Sequence, residues 1–421
     1  MRYRGGVDFS ARIEEKAVQA EQRAAQAFAR IAAVAAANQR KVIGAMQAAR
    51  VSDSHFAGST GYGYNDPGRE ALDRVYASVF KTEAALVRHQ ITTGTQAVAI
   101  CLYGCLMPGD ELLSITGPPY DTLLETIGLR GAAGKGSLRD YGVAYREVAL
   151  ASGGGIDLQE ARKAINAHTK AVFIQRSRGY SQRCALTVAQ IGEAASMIKN
   201  IRDNIIVVVD NCYGEFTEVR EPSEAGADIV AGSLIKNPGG GLAASGGYVA
   251  GRAEYVENAA YRLTAPGLGA EVGATLGVNR LLFQGLFMAP HIVAESLKGA
   301  EFLAELMTAE GYKTSPTPGA YRSDIIQAVE LGVPAKLKAF CLGIQKGSAV
   351  DSFVTPEPWL MPGYGHEVIM AAGTFVQGAS IELSADGPMI EPYIAYVQGG
   401  LTYESAKIGY LTALTYLNGA N

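Results

Sequence analysis

Five consecutive β-branched residues, Ile205-Ile206-Val207-Val208-Val209, run into Asp210 and then Asn211-Cys212-Tyr213-Gly214-Glu215-Phe216. A run of that kind without alternation reads as a strand covered on both faces, as in parallel sheets flanked by helices. Asp210 then stands at the C-terminal end of the strand, the edge at which open α/β sheets bind ligands. By itself a strand-end carboxylate is as readily a structural cap. Further strand-length apolar runs occur at 112–115, 143–149, 171–175, 229–231 and 248–250, with helical patterns at 120–129, 158–166 and 188–201 between them. The alternation predicts an α/β domain around a large, mostly parallel sheet. Residues 10–50 read as one long Ala-rich helix, and a Gly/Tyr-rich segment follows it to about Gly68. After a helix-rich stretch from 270 to 310, strands at 324–329 and 378–383 and helices at 335–345 and 403–417 predict a smaller C-terminal α+β domain. The expected division is 1–68 as an N-terminal helix and oligomer-contact arm, 69–289 as the large domain and 290–421 as the small one.

Composition narrows the function classes. The net charge of −4 and pI near 5.9 lack the basic surplus of a nucleic-acid or anionic-membrane binder. No apolar core of signal-peptide length opens the sequence, and the Ala-rich stretch 24–37 is too weakly apolar to span a bilayer, so a cytoplasmic protein is expected. Five scattered cysteines make no disulfide framework, and no ligand spacing supports a metal site. Glycine, at 50 of 421 residues, exceeds the usual share of about 7% and calls for many close backbone approaches.

Twenty-six residues beyond Asp210 comes Lys236, in Gly232-Ser233-Leu234-Ile235-Lys236-Asn237-Pro238-Gly239-Gly240-Gly241. A lysine with a hydroxyl three residues before it, a glycine run after it and a strand-end carboxylate upstream suits pyridoxal 5′-phosphate. That cofactor needs an amine for covalent attachment, a carboxylate for its ring nitrogen and donors for its phosphate. Ile91-Thr92-Thr93-Gly94-Thr95-Gln96 opens an apolar helix, and its free backbone N–H groups would meet an anion. Simple N-capping by Thr93 or Thr95 is the competing reading. Tyr120, in Gly117-Pro118-Pro119-Tyr120, would stack on a pyridine ring or serve as an ordinary half-buried tyrosine. No nucleoside-triphosphate loop and no dinucleotide fingerprint of glycines occurs anywhere.

Together these segments resemble the fold-type-I pyridoxal-phosphate enzymes (aspartate aminotransferase-like), and within them the methionine γ-lyase-like or aluminium-resistance branch of the cystathionine lyase superfamily. The resemblance extends to Gly61-Tyr62-Gly63-Tyr64-Asn65-Asp66, Gln175-Arg176-Ser177-Arg178-Gly179-Tyr180, Gln284-Gly285-Leu286-Phe287-Met288-Ala289-Pro290, Met361-Pro362-Gly363-Tyr364 and Gln398-Gly399-Gly400-Leu401-Thr402-Tyr403. It implies that Lys236 carries the cofactor and Asp210 pairs with the ring nitrogen. Ser233, with Gly94, Thr95 and Gln96, would bind phosphate, and Tyr120 would cover the ring. Tyr64 and Arg69 look like the pair that reaches a phosphate across a dimer interface. Two departures stand out: Ile235 replaces the threonine that often precedes the lysine, and 384–393 lacks an arginine expected there. Arg178, Arg183 or Arg322 would then hold a substrate carboxylate, Arg178 first because it follows the strand 171–175.

The activity implied is elimination of a γ- or β-substituent from an amino acid, either a sulfur amino acid or an analogue bearing halide or acyl ester. Lys236 would remove the α-proton, and Tyr120, its pKa lowered by cationic neighbours, would serve near the leaving group. An aminotransferase and a non-catalytic pyridoxal-phosphate-binding regulator are the alternatives. A homodimer or homotetramer with shared active sites is expected, with no nucleic-acid or membrane partner.

Overall fold

The computed structural model describes residues 8–181, 183–360 and 365–419; the motif Met361–Tyr364 lies outside the described residues. Contacts divide the chain into two compact units, Ala36–Pro290 and Met1–Ala35 with His291–Asn421. The long helix α1 (Ala11–Ala48) is shared between units. Ile13, Ala17 and Ala20 join the core of the smaller unit, whereas Asn38 donates to the Phe216 and Glu218 carbonyls at 3.2 and 2.9 Å in the larger one.

The larger unit continues with α2 (Pro67–Phe80), which Asp66 caps by accepting the Arg69 amide. Then come β1 (Ala84–Arg88), α3 (Gly94–Cys105), β2 (Glu111–Ser114), α4 (Asp121–Ile127), β3 (Ala144–Glu147), α5 (Leu158–Ala164) and β4 (Thr169–Gln175). They are followed by α6 (Val188–Ile201), β5 (Ile206–Asp210), β6 (Ile229–Ser233), β7 (Gly247–Gly251) and α7 (Ala253–Leu263). The sheet order is β1-β7-β6-β5-β4-β2-β3. It is parallel apart from β7, which pairs antiparallel with both β1 and β6. β1 has no counterpart in the sequence reading, because Ala84-Ala85-Leu86-Val87-Arg88 carries no period-2 alternation to separate it from the preceding helix. On one face, Leu112, Phe173, Val208 and Ala231 pack with Ile100, Cys101 and Leu102 of α3. Cys101 and Cys105 are part of this core; burial holds the Cys101 thiol well above its ordinary range and pushes that of Cys105 up to about 12.

The smaller unit takes the C-terminal part of α8 (Asn279–Ala309), which passes the boundary at Pro290. Next are β8 (Lys313–Ser315), β9 (Gln327–Glu330), α9 (Pro334–Lys346), β10 (Trp359–Leu360), β11 (Glu367–Ala372), β12 (Ser384–Pro388), β13 (Ile394–Gln398) and α10 (Tyr403–Gly419). Its antiparallel sheet runs β10-β11-β12-β13-β9-β8 over a core of Phe302, Phe340, Ile369 and Tyr410. The strand expected at 378–383 is displaced to β12. The Glu382 carboxylate accepts the Phe375 and Val376 amides at 2.8 and 2.9 Å and ties that segment into a turn. No helix among the described residues is long and apolar enough to cross a membrane.

Candidate active site

Parallel register aligns Gln175 of β4 with Asp210 of β5, and Asp210 with Ala231 of β6. The C-terminal ends of three neighbouring strands therefore fall side by side. Asp210 is the last residue of β5 and is buried, its Oδ1 accepting the Cys212 amide at 3.0 Å. Ser233 ends β6, also buried, and the backbone turns at once so that the Lys236 amide donates to the Ser233 carbonyl at 3.4 Å. Lys236 Nζ stands 4.0 Å from the centroid of the Tyr213 ring. Tyr213 occupies the left-handed region at φ 71°, so the chain after β5 doubles back to put that ring under the ammonium.

The helix α3 closes the other side. Thr93 is its N-cap, accepting the Gln96 amide at 3.0 Å, so the simple capping reading holds for Thr93. The amide of Gly94, at the first helical position, is left among the donors that an anion would meet. A Cβ built on Gly94 would lie 3.3 Å from Cys212 Sγ, 3.3 Å from Ser233 Cβ and 3.8 Å from Lys236 Nζ. One point thus sees the helix start, the serine and the lysine, and only glycine leaves it open. Gln96 turns its carbonyl back to Thr92, accepting from its amide at 2.7 Å, and so steadies the turn. Tyr120 precedes α4; its amide donates to Gln175 Oε1 at 3.0 Å and its hydroxyl to Thr95 Oγ1 at 3.3 Å. The structure therefore brings Lys236, Asp210, Ser233, Gly94, Thr95 and Tyr120 into one neighbourhood.

Electrostatics sharpen their parts. Burial alone would depress the Lys236 pKa, but Cys212, Tyr213, Asp210 and Tyr120 together hold it well above the ordinary lysine range. Burial also pushes the Cys212 thiol and the Tyr120 phenol far up. Asp210 is itself pushed up by burial, opposed by Lys236 and the Cys212 amide. The expectation that cationic neighbours lower the Tyr120 pKa is corrected. Burial raises it and the Asp210 charge adds to the rise, and Lys236 does not offset the two.

Other expected residues are placed differently. Arg178 is buried on the loop after β4, with Nε and Nη2 donating to the Arg183 carbonyl at 3.0 and 2.6 Å. Arg183 in turn donates to the carbonyls of Gln175, at 2.9 Å, and Ser177. Arg322 belongs to the smaller unit, where it meets Glu301 and Gln327 at 3.0 and 2.7 Å. Arg69 is buried and spends its guanidinium on the carbonyls of Gly63, Gly273 and Glu271 at 2.7, 3.1 and 3.1 Å. Tyr64 is 54% exposed beside Tyr62 at 73%, ring centroids 5.7 Å apart. Cys212, Tyr213 and Glu215 escaped the sequence reading as site residues. The signal for them was the polar and aromatic run directly after the strand-end carboxylate.

These residues fit pyridoxal phosphate: an amine at a strand end, a buried carboxylate one strand away, and a serine hydroxyl with helix-start amides around a cradle that a Cβ would fill. The fold is that of the fold-type-I pyridoxal-phosphate enzymes: solved structures at 18–19% identity with TM-scores of 0.53–0.61 share it, one of them a pyridoxal-phosphate-dependent protein from Escherichia coli. A family model described as methionine γ-lyase matches residues 13–418, and the chain belongs to that family of pyridoxal-phosphate-dependent carbon–sulfur lyases. It is 50% identical over 405 residues to YnbB of Bacillus subtilis (strain 168), an uncharacterized protein, covering 96% of each chain. A candidate cystathionine β-lyase involved in aluminium resistance from Listeria monocytogenes is 50% identical with a TM-score of 0.94, covering 96% of this chain and 100% of that one. A carbon–sulfur lyase involved in aluminium resistance from Clostridium novyi NT is 47% identical, also at 0.94, covering 97% and 96%.

Proposed function

We propose that the protein eliminates a γ- or β-substituent from an amino acid, with a sulfur amino acid as the first substrate class and halide or acyl-ester analogues as further ones. The observation that carries this reading is the convergence of Lys236 Nζ, Ser233 and the α3 start on the space beside Gly94. Bound there, the cofactor supplies an electron sink that makes the substrate α-proton removable. Lys236 would hold the cofactor through its amine and, when free, would take that proton at Nζ. Asp210 would keep the ring nitrogen protonated. Ser233 Oγ and the amides of Gly94 and Thr95 would hold the phosphate. Tyr120, a neutral phenol at working pH, covers the ring and gives a proton at its hydroxyl rather than taking one. Arg178, on the loop beside β4, receives the substrate carboxylate, with Arg183 on the same loop supporting it.

The segments carrying Tyr62 and Tyr64 and carrying Leu276 are bonded together, the Gly273 amide donating to the Tyr62 carbonyl at 2.9 Å and the Leu276 amide to that of Ser59 at 3.0 Å. They expose Tyr62 at 73%, Tyr64 at 54% and Leu276 at 64%, an apolar patch suited to a second copy. This supports a homodimer or homotetramer in which Tyr64 serves a neighbouring site and Arg69 holds the Tyr64 loop in place. The test is purified protein with a panel of β- and γ-substituted amino acids. Ammonia and 2-oxo acid released in equal amounts from thioethers is the expected result. Amine passed to an added 2-oxo acid without free ammonia would make it an aminotransferase.

A further inference from the structure

A second buried acid near the strand ends is not used by the reaction described above. Glu215 is fully buried, five residues beyond Asp210. Its Oε1 accepts the Tyr248 hydroxyl at 3.0 Å; Oε2 is buried with no partner. Room for the carboxyl is made by Gly232 of β6, where a Cβ would collide with Glu215 Oε1 and come within 2.6 Å of the Tyr248 ring. The Tyr248 oxygen accepts Asn211 Nδ2 at 3.2 Å, and the same Nδ2 donates to Glu221 Oε2 at 3.0 Å. Asn211 is held in that orientation by Arg176, which donates to its Oδ1 at 2.7 Å.

Arg176, after β4, meets Glu218 at 2.9 Å and Glu221 at 3.5 Å. Lys41 of α1 pairs with Glu224 and also acts on Glu221. Around Glu215 stand the neutral phenols Tyr248 of β7 and Tyr76 of α2, the neutral thiol Cys212, the acid Glu221 and, as the nearby cation, Lys236. Lys236 already faces Asp210. Three cations thus face five acids: Arg176 is shared by Glu218 and Glu221, Lys41 pairs with Glu224, Lys236 faces Asp210, and Glu215 makes no salt bridge among the described residues. A buried neutral carboxyl costs far less than a buried anion with one oxygen unpartnered.

We propose that Glu215 is a positioning residue that keeps its proton within electrostatic reach of Lys236, so that Asp210 is the carboxylate charge that the lysine meets at neutral pH. A second anion there would hold the ammonium more tightly and weaken Lys236 as a base. The proposal rests on the reading of Lys236 as the residue that removes the α-proton. In keeping with it, burial pushes the Glu215 carboxyl up to about 8, its own backbone amide, Tyr248 and Lys236 opposing the rise and Glu221 adding to it.

The experiment compares wild type with Glu215→Gln, which keeps the shape and the acceptor for Tyr248 but carries no titratable proton. On the cofactor-free chain, infrared difference spectra should show one carboxylic-acid C=O band lost in the variant. In wild type that band should fade with a midpoint near pH 8. The sign follows from linkage: wild type keeps below pH 8 a proton that the unfolded chain gives up near pH 4.5, so its stability falls as pH rises through that window. The folding equilibrium of Glu215→Gln relative to wild type should therefore rise about tenfold per pH unit between those values. In the holoenzyme, the alkaline limb of kcat near pH 8 should move in the variant. No band difference at pH 6, a pH-independent stability offset, or an unmoved alkaline limb would each overturn the proposal. If Glu215→Gln does not fold, Tyr248→Phe removes the donor to Oε1 and should move the band midpoint upward; an unmoved midpoint counts against it. Failure of the Lys236 reading is separable. It would show as cofactor absorbance unchanged in Lys236→Ala, with the infrared and stability results intact.

Discussion

The site has two halves built in different ways. Asp210, Ser233 and Lys236 stand at or just past the ends of the central strands β5 and β6, where ladder pairing fixes the backbone on both sides. Arg178, Arg183 and Tyr64 stand on loops, where guanidinium groups close on carbonyls of their own segment and a tyrosine lies exposed. The strand-built half is arranged for a cofactor within a single chain. On the proposed function, the loop-built half is where substrate choice and a neighbouring copy would enter. Chemistry common to a class belongs to the rigid half, and the differences among its members to the other.

The largest effect that would break this contrast is expected in the rigid half. Lys236→Ala should remove covalent attachment together with a general base worth about 10²–10⁴-fold. Gel-filtered variant should carry no absorbance from attached cofactor and release no measurable ammonia. Next comes Asp210→Asn, which removes the carboxylate proposed to pair with the ring nitrogen. At about 1.5–3 kcal/mol for a hydrogen bond to a charged group, kcat should fall roughly 10- to 200-fold while the cofactor remains attached. A change confined to KM would remove Asp210 from that part.

Gly94→Ala sharpens the same half by geometry alone. The new methyl would sit 3.3 Å from Cys212 Sγ and Ser233 Cβ, in the space assigned to the phosphate. Overpacking of this kind costs about 1–3 kcal/mol. Cofactor affinity, read by fluorescence titration, should weaken by that amount, while helix content stays the same because alanine favours the first turn of α3. Loss of folding with unchanged affinity in the folded fraction would mean that the space is core and not cradle.

How much of this was legible in the sequence follows the same division. Lys236, Asp210 and Ser233 could be found because an unbroken β-branched run, a lysine before glycines and a hydroxyl at fixed offset are local signals. Gly94 and Thr95 were legible as a helix start. Tyr213 was not, since its use depends on a left-handed backbone at φ 71° that no side-chain pattern announces. Glu215 was invisible for another reason: a polar residue two positions beyond Tyr213 reads as solvated loop until Gly232 and Tyr248 are seen to wall it in. The direction of the Tyr120 pKa failed because cationic neighbours were visible in sequence and burial was not. Arg69 looked free to reach outward, yet three carbonyls of its own chain take its guanidinium.

The smallest effect tests the loop-built half and the contact between copies together. Tyr64 is 54% exposed, so Tyr64→Ala should change the stability of a single chain by no more than about 0.5 kcal/mol. If Tyr64 completes the site of a neighbour, cofactor affinity should nonetheless fall about tenfold, or ~1.4 kcal/mol. Mixing decides where that loss arises. Unfolded together and refolded, Tyr64→Ala and Lys236→Ala chains form mixed dimers in which one site receives an intact lysine from one copy and an intact tyrosine from the other. About one site in two of each mixed dimer should then recover activity. Recovery requires that the tyrosine and the lysine of a working site come from different chains. With no recovery above the sum of the separate variants, Tyr64 would serve its own chain, and the exposed Tyr62–Tyr64–Leu276 surface would have nothing to do with the site.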